Sequence, residues 1–376
     1  VNTPLLFSST EMRRYSLGDT HPMGPGRFQH AMGLADYFGL LSEFDVVKPR
    51  PARTSELTLV HTPDYVDATR AEVPSARYGI GTEDNPAAHG LSTAAAYIAG
   101  ATLQAAQAVW TGDTNVAVNL AGGLHHSFRD SMTGFCMYND AAVAIQWMLD
   151  NGAERVAYLD LDAHHGDGVE SIFWDDPRVL TISIHESGLY LFPGTGFAHE
   201  IGGERAQGTA VNLALPRNTT DTEWLQAIHA LIPPLLRQFK PQVLVSQHGS
   251  DPHKADPLAD LDLSLDAMAL AYRSVAAWAK KLAEDRWIAL GGGGYRMDSV
   301  ARAWVQVIAA AAEVELPANS TMPSGWEGSK TIGDEGVDLD VLNEFGPQNI
   351  ITSCPHAALT QTTKAVFPYW GLRPYG

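Results

Sequence analysis

Val156-Ala-Tyr-Leu-Asp-Leu-Asp-Ala-His-His-Gly-Asp167 is the stretch on which the fold turns. Val156–Asp160 is a short apolar run closing on a carboxylate, the pattern of a buried strand where it leaves a sheet. Side chains alternate along extended chain, so Asp160, Asp162 and His164 share one face while Leu161 and Ala163 take the other. Three such groups at the mouth of a buried strand are costly without a partner, and a divalent metal satisfies them. A surface loop with a capping Asp is the plainer alternative, but the whole string behind an apolar strand favours the metal.

Outward from this stretch the same texture repeats. Val116–Leu120, Val179–His185, Val243–Ser246 and Trp287–Leu290 are further apolar runs, and Leu5–Phe7 is a possible first strand. Helical spacing lies between them at Leu91–Trp110, Asp140–Asn151, Thr222–Phe239, Leu265–Glu284 and Ser299–Val314, with shorter helices near Arg27–Leu41 and Asp64–Ala71. Asp221, Glu223 and Asp266 favour helix starts, where carboxylates meet the positive end of the dipole. Strands alternating with helices give an α/β fold: a parallel sheet covered by helices on both faces. Such sheets bind ligands at the carboxyl ends of their strands. There the chain reads Ala121-Gly-Gly-Leu-His-His126, Asp160–Asp167, His185-Glu186, Gln247-His-Gly-Ser-Asp251 and Gly291-Gly-Gly-Gly-Tyr295. Residues 1–376 read as a single domain, with a core over 1–314 and an irregular tail over 315–376 packed on it.

The 376 residues are 45% hydrophobic and 18% charged, enough apolar material for a large core and too much for wholesale disorder. The formal charge of −18 repels phosphate backbones and anionic membranes, so neither nucleic acid nor a membrane is expected as a partner, whereas lysine-bearing partners suit it. No run of about 18 apolar residues suggests a membrane span. Val1–Leu17 shows no signal-peptide pattern, although the first residue is not Met. Two cysteines, Cys136 and Cys354, form no framework, and a reduced, cytoplasmic protein is expected.

Asp162 and His164 are too few for a catalytic metal, which normally has three protein ligands. Asp251 is the best third, because Gly249 before it permits a close approach; a turn or capping role is its alternative. Two carboxylates and one imidazole with an open position suit Zn²⁺ or Fe²⁺ and hydrolysis. The tandem His125-His126, after Gly122-Gly123, reads as general base and electrostatic partner for a metal-bound water. Asp160 and Asp167 are available to fix the two tautomers. Gly291–Gly294 lacks both G-x-G-x-x-G and a Walker lysine, which argues against nucleotide binding. The loop instead presents Tyr295, whose hydroxyl either faces a developing oxyanion or simply packs at a helix start. Phe135 and Phe192 are either tube walls or core, and nothing marks Cys136 as a nucleophile.

These motifs resemble the zinc-dependent histone deacetylase family. Gly-Gly-Leu-His-His, Gly-Phe-Cys-Met-Tyr-Asn-Asp, Asp-Leu-Asp-Ala-His-His-Gly-Asp-Gly-Val-Glu, Phe-Pro-Gly-Thr-Gly and Leu-Gly-Gly-Gly-Gly-Tyr occur in that family's order from about residue 20 to residue 305. His21-Pro22 and Gln247-His-Gly-Ser-Asp-Pro-His253 with Asp256-Pro257-Leu258 are most similar to its bacterial acetoin utilisation branch. The resemblance implies an arginase-like, three-layer α/β/α fold on a central, mostly parallel eight-stranded sheet. It implies zinc on Asp162, His164 and Asp251, and Tyr295 on the acetyl carbonyl. It also pairs His125 with Asp160 and His126 with Asp167. Phe135, Phe192 and Leu258 match walls of an acyl-lysine tunnel, Gly134 and Gly293 further substrate-contacting positions, and Asp84 a rim carboxylate. Potassium is implied at Asp160, Asp162, His164, Ser183 and Ile184, and at a second site of Phe173, Asp176 and Val179.

The implied reaction removes acetyl groups from Nε-acetyl-lysine in proteins: a metal-bound water attacks, a protonated His serves the leaving amine, and acetate departs. An acetyl-CoA synthetase is a plausible acetylated partner by resemblance only. The nearest rival is a deacetylase of acetylated polyamines or other small amines, whose members often carry an acidic gate where Leu258 stands. An arginase-like ureohydrolase would need more carboxylates and has no use for the His pair. An inactive acyl-lysine reader would not need the complete set.

Overall fold

The Val156–Asp160 run is fully buried and becomes strand β4 of the computed structural model, which describes residues 2–343, 345 and 356–376. Val156 and Ala157 find apolar neighbours on both sides because β4 pairs with β5 (Val179–Glu186) and with β7 (Val243–Gln247). The other strands are β1 (Leu5–Phe7), β2 (Asp45–Val47), β3 (Val116–Asn119), β6 (Ala210–Leu215) and β8 (Trp287–Leu290). They form one eight-stranded sheet in the order β2-β1-β3-β8-β7-β4-β5-β6, and every pairing is parallel.

Parallel neighbours need crossovers, and helices supply them. The N-terminal third holds α1 (Gly26–Tyr37), α2 (Thr54–Leu57), α3 (Pro63–Arg70) and α4 (Leu91–Thr111). Next come α5 (Asp140–Asp150), α6 (Asp167–Ile172), α7 (Asp221–Phe239), α8 (Leu265–Leu282) and α9 (Met297–Ala311), then α10 (Leu339–Asn343) and α11 (Ala357–Val366). α4 packs on α5 and on β1, β3 and β8. The row α1, α9, α8, α7 packs against β3, β8, β7 and β5, so the sheet is covered on both faces in an arginase/deacetylase-like α/β/α arrangement.

Several expectations are corrected. Two edge strands, β2 and β6, lie outside the expected set. β2 is only three residues long, and β6 contains Asn212, whose buried amide donates to Glu170 Oε2 at 2.7 Å. The expected helix over Arg27–Leu41 stops at Tyr37, where Gly39 turns the chain with φ of 72°. Leu5–Phe7, Val156–Asp160 and Trp287–Leu290 have the expected ends, and the remaining elements depart from theirs by at most three residues, as helix fraying and strand pairing allow. The tail is less irregular than its composition suggests, because it contains α10 and α11. α11 buries Leu359, Thr362, Thr363 and Val366, an inner face half made of threonine that gives a weak apolar period. Thr362 Oγ1 donates to Asn212 O at 2.7 Å and Tyr375 OH to Ala230 O at 2.9 Å, tying the tail to β6 and α7. Cys354 lies outside the described residues.

The sheet order places the carboxyl ends of β3, β8, β7 and β4 side by side. The chain therefore delivers residues 120–126, 290–295, 247–256 and 160–167 to one crevice.

Candidate active site

Asp162, His164 and Asp251 are buried, and one ligand atom from each lies within 4.8 Å of the others. His164 Nδ1 is 3.1 Å from Asp162 Oδ1 and 2.9 Å from Asp251 Oδ2. The backbone and Gln247 aim the carboxylates. Gln247 Nε2 and Gly293 N donate to Asp162 Oδ2 at 2.9 and 2.8 Å, and Ala163 N donates to Asp251 Oδ1 at 2.8 Å. A Cβ at Gly249 would strike the Asp162 carboxylate, and one at Gly293 the Asp251 carboxylate, so only glycine allows this approach.

The donor set fits a divalent cation. Burial, then the neighbouring Asp162 charge, push the Asp251 carboxyl up to about 7. Burial also opposes charge on Asp162, yet His125 and His164 outweigh it and hold this carboxyl well below its usual range. Burial and the repulsion between the two carboxyls thus act against charge on Asp251 in particular, and a cation between the pair and His164 would offset it. Two oxygens and one nitrogen suit Zn²⁺ or Fe²⁺.

The tandem histidines lie beside this cluster with ring centroids 4.0 Å apart and planes tilted by 49°. His125 Nδ1 lies 2.7 Å from Asp160 Oδ2, which also accepts from Tyr158 OH at 2.6 Å; His126 Nδ1 lies 2.5 Å from Asp167 Oδ1. A carboxylate only accepts, so each Nδ1 carries the hydrogen. The surroundings drive the two rings apart. Burial lowers His125, but Asp160 and Asp162 overcome it and raise the ring to about 9. Burial and the adjacent His125 lower His126, against the pull of Asp167. His126 is therefore the neutral member with a free Nε2 lone pair.

A cavity of about 190 Å³ leads down to these groups, walled by Phe135, Phe192, Leu191 and Leu258, with Asp84 and Gly134 also lining it. Phe192 stands edge-on to His126 at 5.0 Å, and Phe135 edge-on to Tyr295 at 5.8 Å. Burial, then Asp251 and Asp162, push the Tyr295 phenol well up, so it stays a donor at neutral pH. At Gly134 a Cβ would enter the His126 ring. The structure thus brings Asp84, His125, His126, Gly134, Phe135, Asp160, Asp162, His164, Asp167, Phe192, Asp251, Leu258, Gly293 and Tyr295 to one crevice.

The remaining expected positions lie within β5 and in the turn that leads into it. Ser183 is the register partner of Asp160, its Oγ accepts from Gly166 N at 3.2 Å, and Ile184 follows it buried in the strand. Phe173 and Asp176 sit in the turn between α6 and β5, and Val179 opens β5; Asp176 N donates to Phe173 O at 3.0 Å and Val179 N to Asp176 O at 3.2 Å. The Asp176 carboxylate accepts from Arg178 at 2.7 and 2.9 Å. Cys136 is buried, and burial raises its thiol well up.

Other residues hold the site in place without having been singled out by their sequence. Asp256 accepts from Tyr295 N at 2.8 Å and Leu258 N at 2.9 Å, fixing phenol and wall together. Asp140 accepts from Gly123 N, Leu124 N and Thr102 Oγ1, pinning the turn before the His pair. Phe135 has φ of 69°; its N donates to Asn85 Oδ1 at 2.9 Å and its O accepts from Tyr15 OH at 2.6 Å. Arg27 donates to Gly292 O and Gly294 O at 2.8 and 3.1 Å, bracing the glycine loop. The Asp256-Pro257-Leu258 string was the one visible signal among these.

Residues 21–311 match the histone deacetylase domain. The chain is 40% identical over 307 residues to the acetoin utilization protein AcuC of Bacillus subtilis (strain 168), covering 80% of this chain and 79% of that protein. It is 34% identical over 326 residues to AcuC of Staphylococcus xylosus, covering 85% and 84%. Among solved structures it is similar to an HDAC homolog from Aquifex aeolicus, with a TM-score of 0.77, 33% identity and coverage of 85% and 86%. An HDAC homolog complexed with SAHA matches with a TM-score of 0.77, 32% identity and the same coverage.

Proposed function

The chain belongs to the histone deacetylase family, in its acetoin utilisation branch, and from that premise we propose that it hydrolyses Nε-acetyl-lysine in proteins, releasing acetate. The supporting observation is the convergence of the Asp162–His164–Asp251 cluster, a neutral His126 and a protonated Tyr295 at the floor of a narrow apolar cavity. The cavity suits an acyl group on a thin aliphatic stem, and Phe135 and Phe192 are both among its walls.

Zn²⁺ or Fe²⁺ on Asp162, His164 and Asp251 would supply Lewis acidity to the carbonyl and to a water. The chain's residues do the rest. Tyr295 donates its hydroxyl hydrogen to the oxygen that gains charge, a contribution of about 10²–10³ in rate. His126 Nε2 takes the proton of the attacking water, and Asp167 stabilises the imidazolium that forms. A protonated ring of the pair then passes a proton to the departing amine. His125, held cationic over Asp160, offsets the neighbouring carboxylates. The aromatic walls exclude water from the stem.

We extend the reading to K⁺ at the Asp160–Ile184 and Phe173–Val179 positions, where resemblance rather than contact geometry supports it. The described residues contain no helix long and apolar enough to cross a membrane, and a cytoplasmic enzyme acting on acetylated proteins, such as an acetyl-CoA synthetase, is the setting we favour. The test is acetate release by the zinc-loaded protein and its Tyr295→Phe variant, from an acetyl-lysine peptide and from an N-acetylated polyamine. Peptide turnover that collapses in the variant supports the reading. Turnover of the polyamine alone would replace it with small-amine deacetylation.

A further inference from the structure

Beside the tunnel lies a second cavity of about 820 Å³, more than four times the volume of the first. Its walls are mostly apolar: Leu189, Tyr190 and Phe197 from the chain after β5, Pro216 after β6, and Ala358 and Ala365 from α11. One loop builds both cavities. Leu189 and Tyr190 line the groove, while the next two residues, Leu191 and Phe192, line the tunnel. Three residues of extended chain reach at most about 11 Å, so the two openings are near neighbours.

The surface joining them is apolar and exposed. Leu189 is 73% exposed, Tyr190 52% and Phe192 46%. Single exposed apolar side chains are ordinary, but a run of them between two cavities marks a binding surface. The strip is also held in place. The Arg217 guanidinium lies 4.7 Å over the Tyr190 ring and pairs with Asp260 at 3.2 Å. Farther along the loop, Thr195 Oγ1 lies 2.8 Å from His165 Nδ1, and Gly196 O lies 2.7 Å from His185 Nε2. A pre-set surface binds without a large ordering cost.

A small acetylated amine ends inside the tunnel and leaves this groove empty. A polypeptide with its acetyl-lysine in the tunnel continues across the rim, and the apolar strip leads one arm of it into the groove. We propose that the groove is an exosite that accepts an apolar side chain of the acetylated polypeptide, about three to five residues from the acetyl-lysine. This rests on the lysine-deacetylase reading and adds a sequence preference to it.

The test uses peptides with leucine or serine scanned through the positions flanking one acetyl-lysine, together with a capped acetyl-lysine amide that has no flanks. At one position leucine raises kcat/KM about tenfold or more over serine, chiefly through KM. That gain disappears in Leu189→Ser and in Ala365→Glu, while both variants turn over the flank-free amide at the wild-type rate, which also shows that they are folded. Wild-type protein that treats all flanks alike, or a leucine preference that survives both substitutions, overturns the exosite and leaves deacetylation standing. A dimer that Leu189→Ser dissociates, with flanks treated alike, would assign the groove to a second copy of the chain. Failure on every acetyl-lysine substrate removes the exosite together with the reading beneath it.

Discussion

Replacing Asp167 with Asn tests the division of labour between the two histidines. Asp167 Oδ1 sits 2.5 Å from His126 Nδ1, and both side chains are almost fully buried. The carboxylate does two things there: it enforces the Nδ1–H tautomer and it stabilises the imidazolium that forms when His126 takes a proton. An amide of the same shape accepts or donates, so the tautomer is no longer imposed. It also carries no charge, so a charge-assisted hydrogen bond worth about 1.5–3 kcal/mol is lost from the protonated ring. At about 1.36 kcal/mol for each tenfold, that loss alone predicts a fall in kcat/KM of about 10- to 150-fold. The sign of the pH effect follows. Asp167 favours the protonated ring, so its neutralisation lowers the pKa of His126, and the acid limb of the kcat/KM profile moves down by about 1–2 pH units. The assay is acetate release across pH 5 to 9 with metal-saturated wild type and Asp167→Asn, their folding compared by circular dichroism. A variant with its plateau within twofold of wild type, or an acid limb that moves upward, would refute the assignment of His126 as base.

Gly249→Ala should cut metal affinity by about 10- to 100-fold, because its new methyl displaces the Asp162 carboxylate; competition with a chromogenic chelator measures this without any turnover. Acid should weaken the fold through its buried neutral histidines. Burial holds His61, His229 and His248 down at about 4, against 6.5 unfolded, so stability is full above 6.5 and is lost as pH falls toward 4. Relative to the high-pH plateau, each contributes a loss of about 2 kcal/mol at pH 5, read as a lower denaturation midpoint; an unchanged midpoint at pH 5 would contradict it. Asp334→Asn strips one partner from each of Arg302 (2.9 Å) and His253 (2.9 Å) in a buried network, so thermal unfolding should show a loss of about 3 kcal/mol.

What could be read from the residues divides by the kind of force involved. Buried parallel strands are short, nearly unbroken apolar runs, and Val156–Asp160 and Trp287–Leu290 therefore announce their limits to the residue. β6 did not, because it is a strand only by virtue of pairing with β5, and Asn212 interrupts its apolar run. The metal cluster was visible because ligand chemistry restricts residue type, and because Asp162 and His164 are two apart on extended chain. Asp251 is 87 residues beyond His164, yet the pairing of Asp160 with Gln247 sets it four residues past the same sheet level. Tyr15 and Asn85 stayed hidden for a different reason, and Asp256 showed only as part of the Asp256-Pro257-Leu258 string, without its role. Their work is hydrogen bonding to backbone at positions 120, 50 and 39 residues away, and backbone leaves no signature in composition.

The carboxylates themselves argue for the metal once their partners are traced. Asp140 accepts from two backbone N–H groups and the Thr102 hydroxyl. Asp160 has Tyr158 and His125, Asp167 has His126, and Asp256 has the backbone of Tyr295 and Leu258. Each of these is satisfied by groups that the fold supplies. Asp162 and Asp251 differ in being aimed at each other: His164 Nδ1 lies within 3.1 Å of both, whereas the second cationic ring, His125, reaches only Asp162 of the pair, at 3.8 Å. His125 and His164 hold Asp162 ionised, but burial and the Asp162 charge still push the Asp251 carboxyl up to about 7, so the rings do not fully balance the pair. A divalent cation held by Asp162, His164 and Asp251 would supply the missing charge on the cavity floor that His126, His164 and Tyr295 also line. On this argument, neutralising one ligand with Asp251→Asn should raise apo-protein stability while abolishing metal binding. A variant that loses stability and keeps the metal would break the argument at its base.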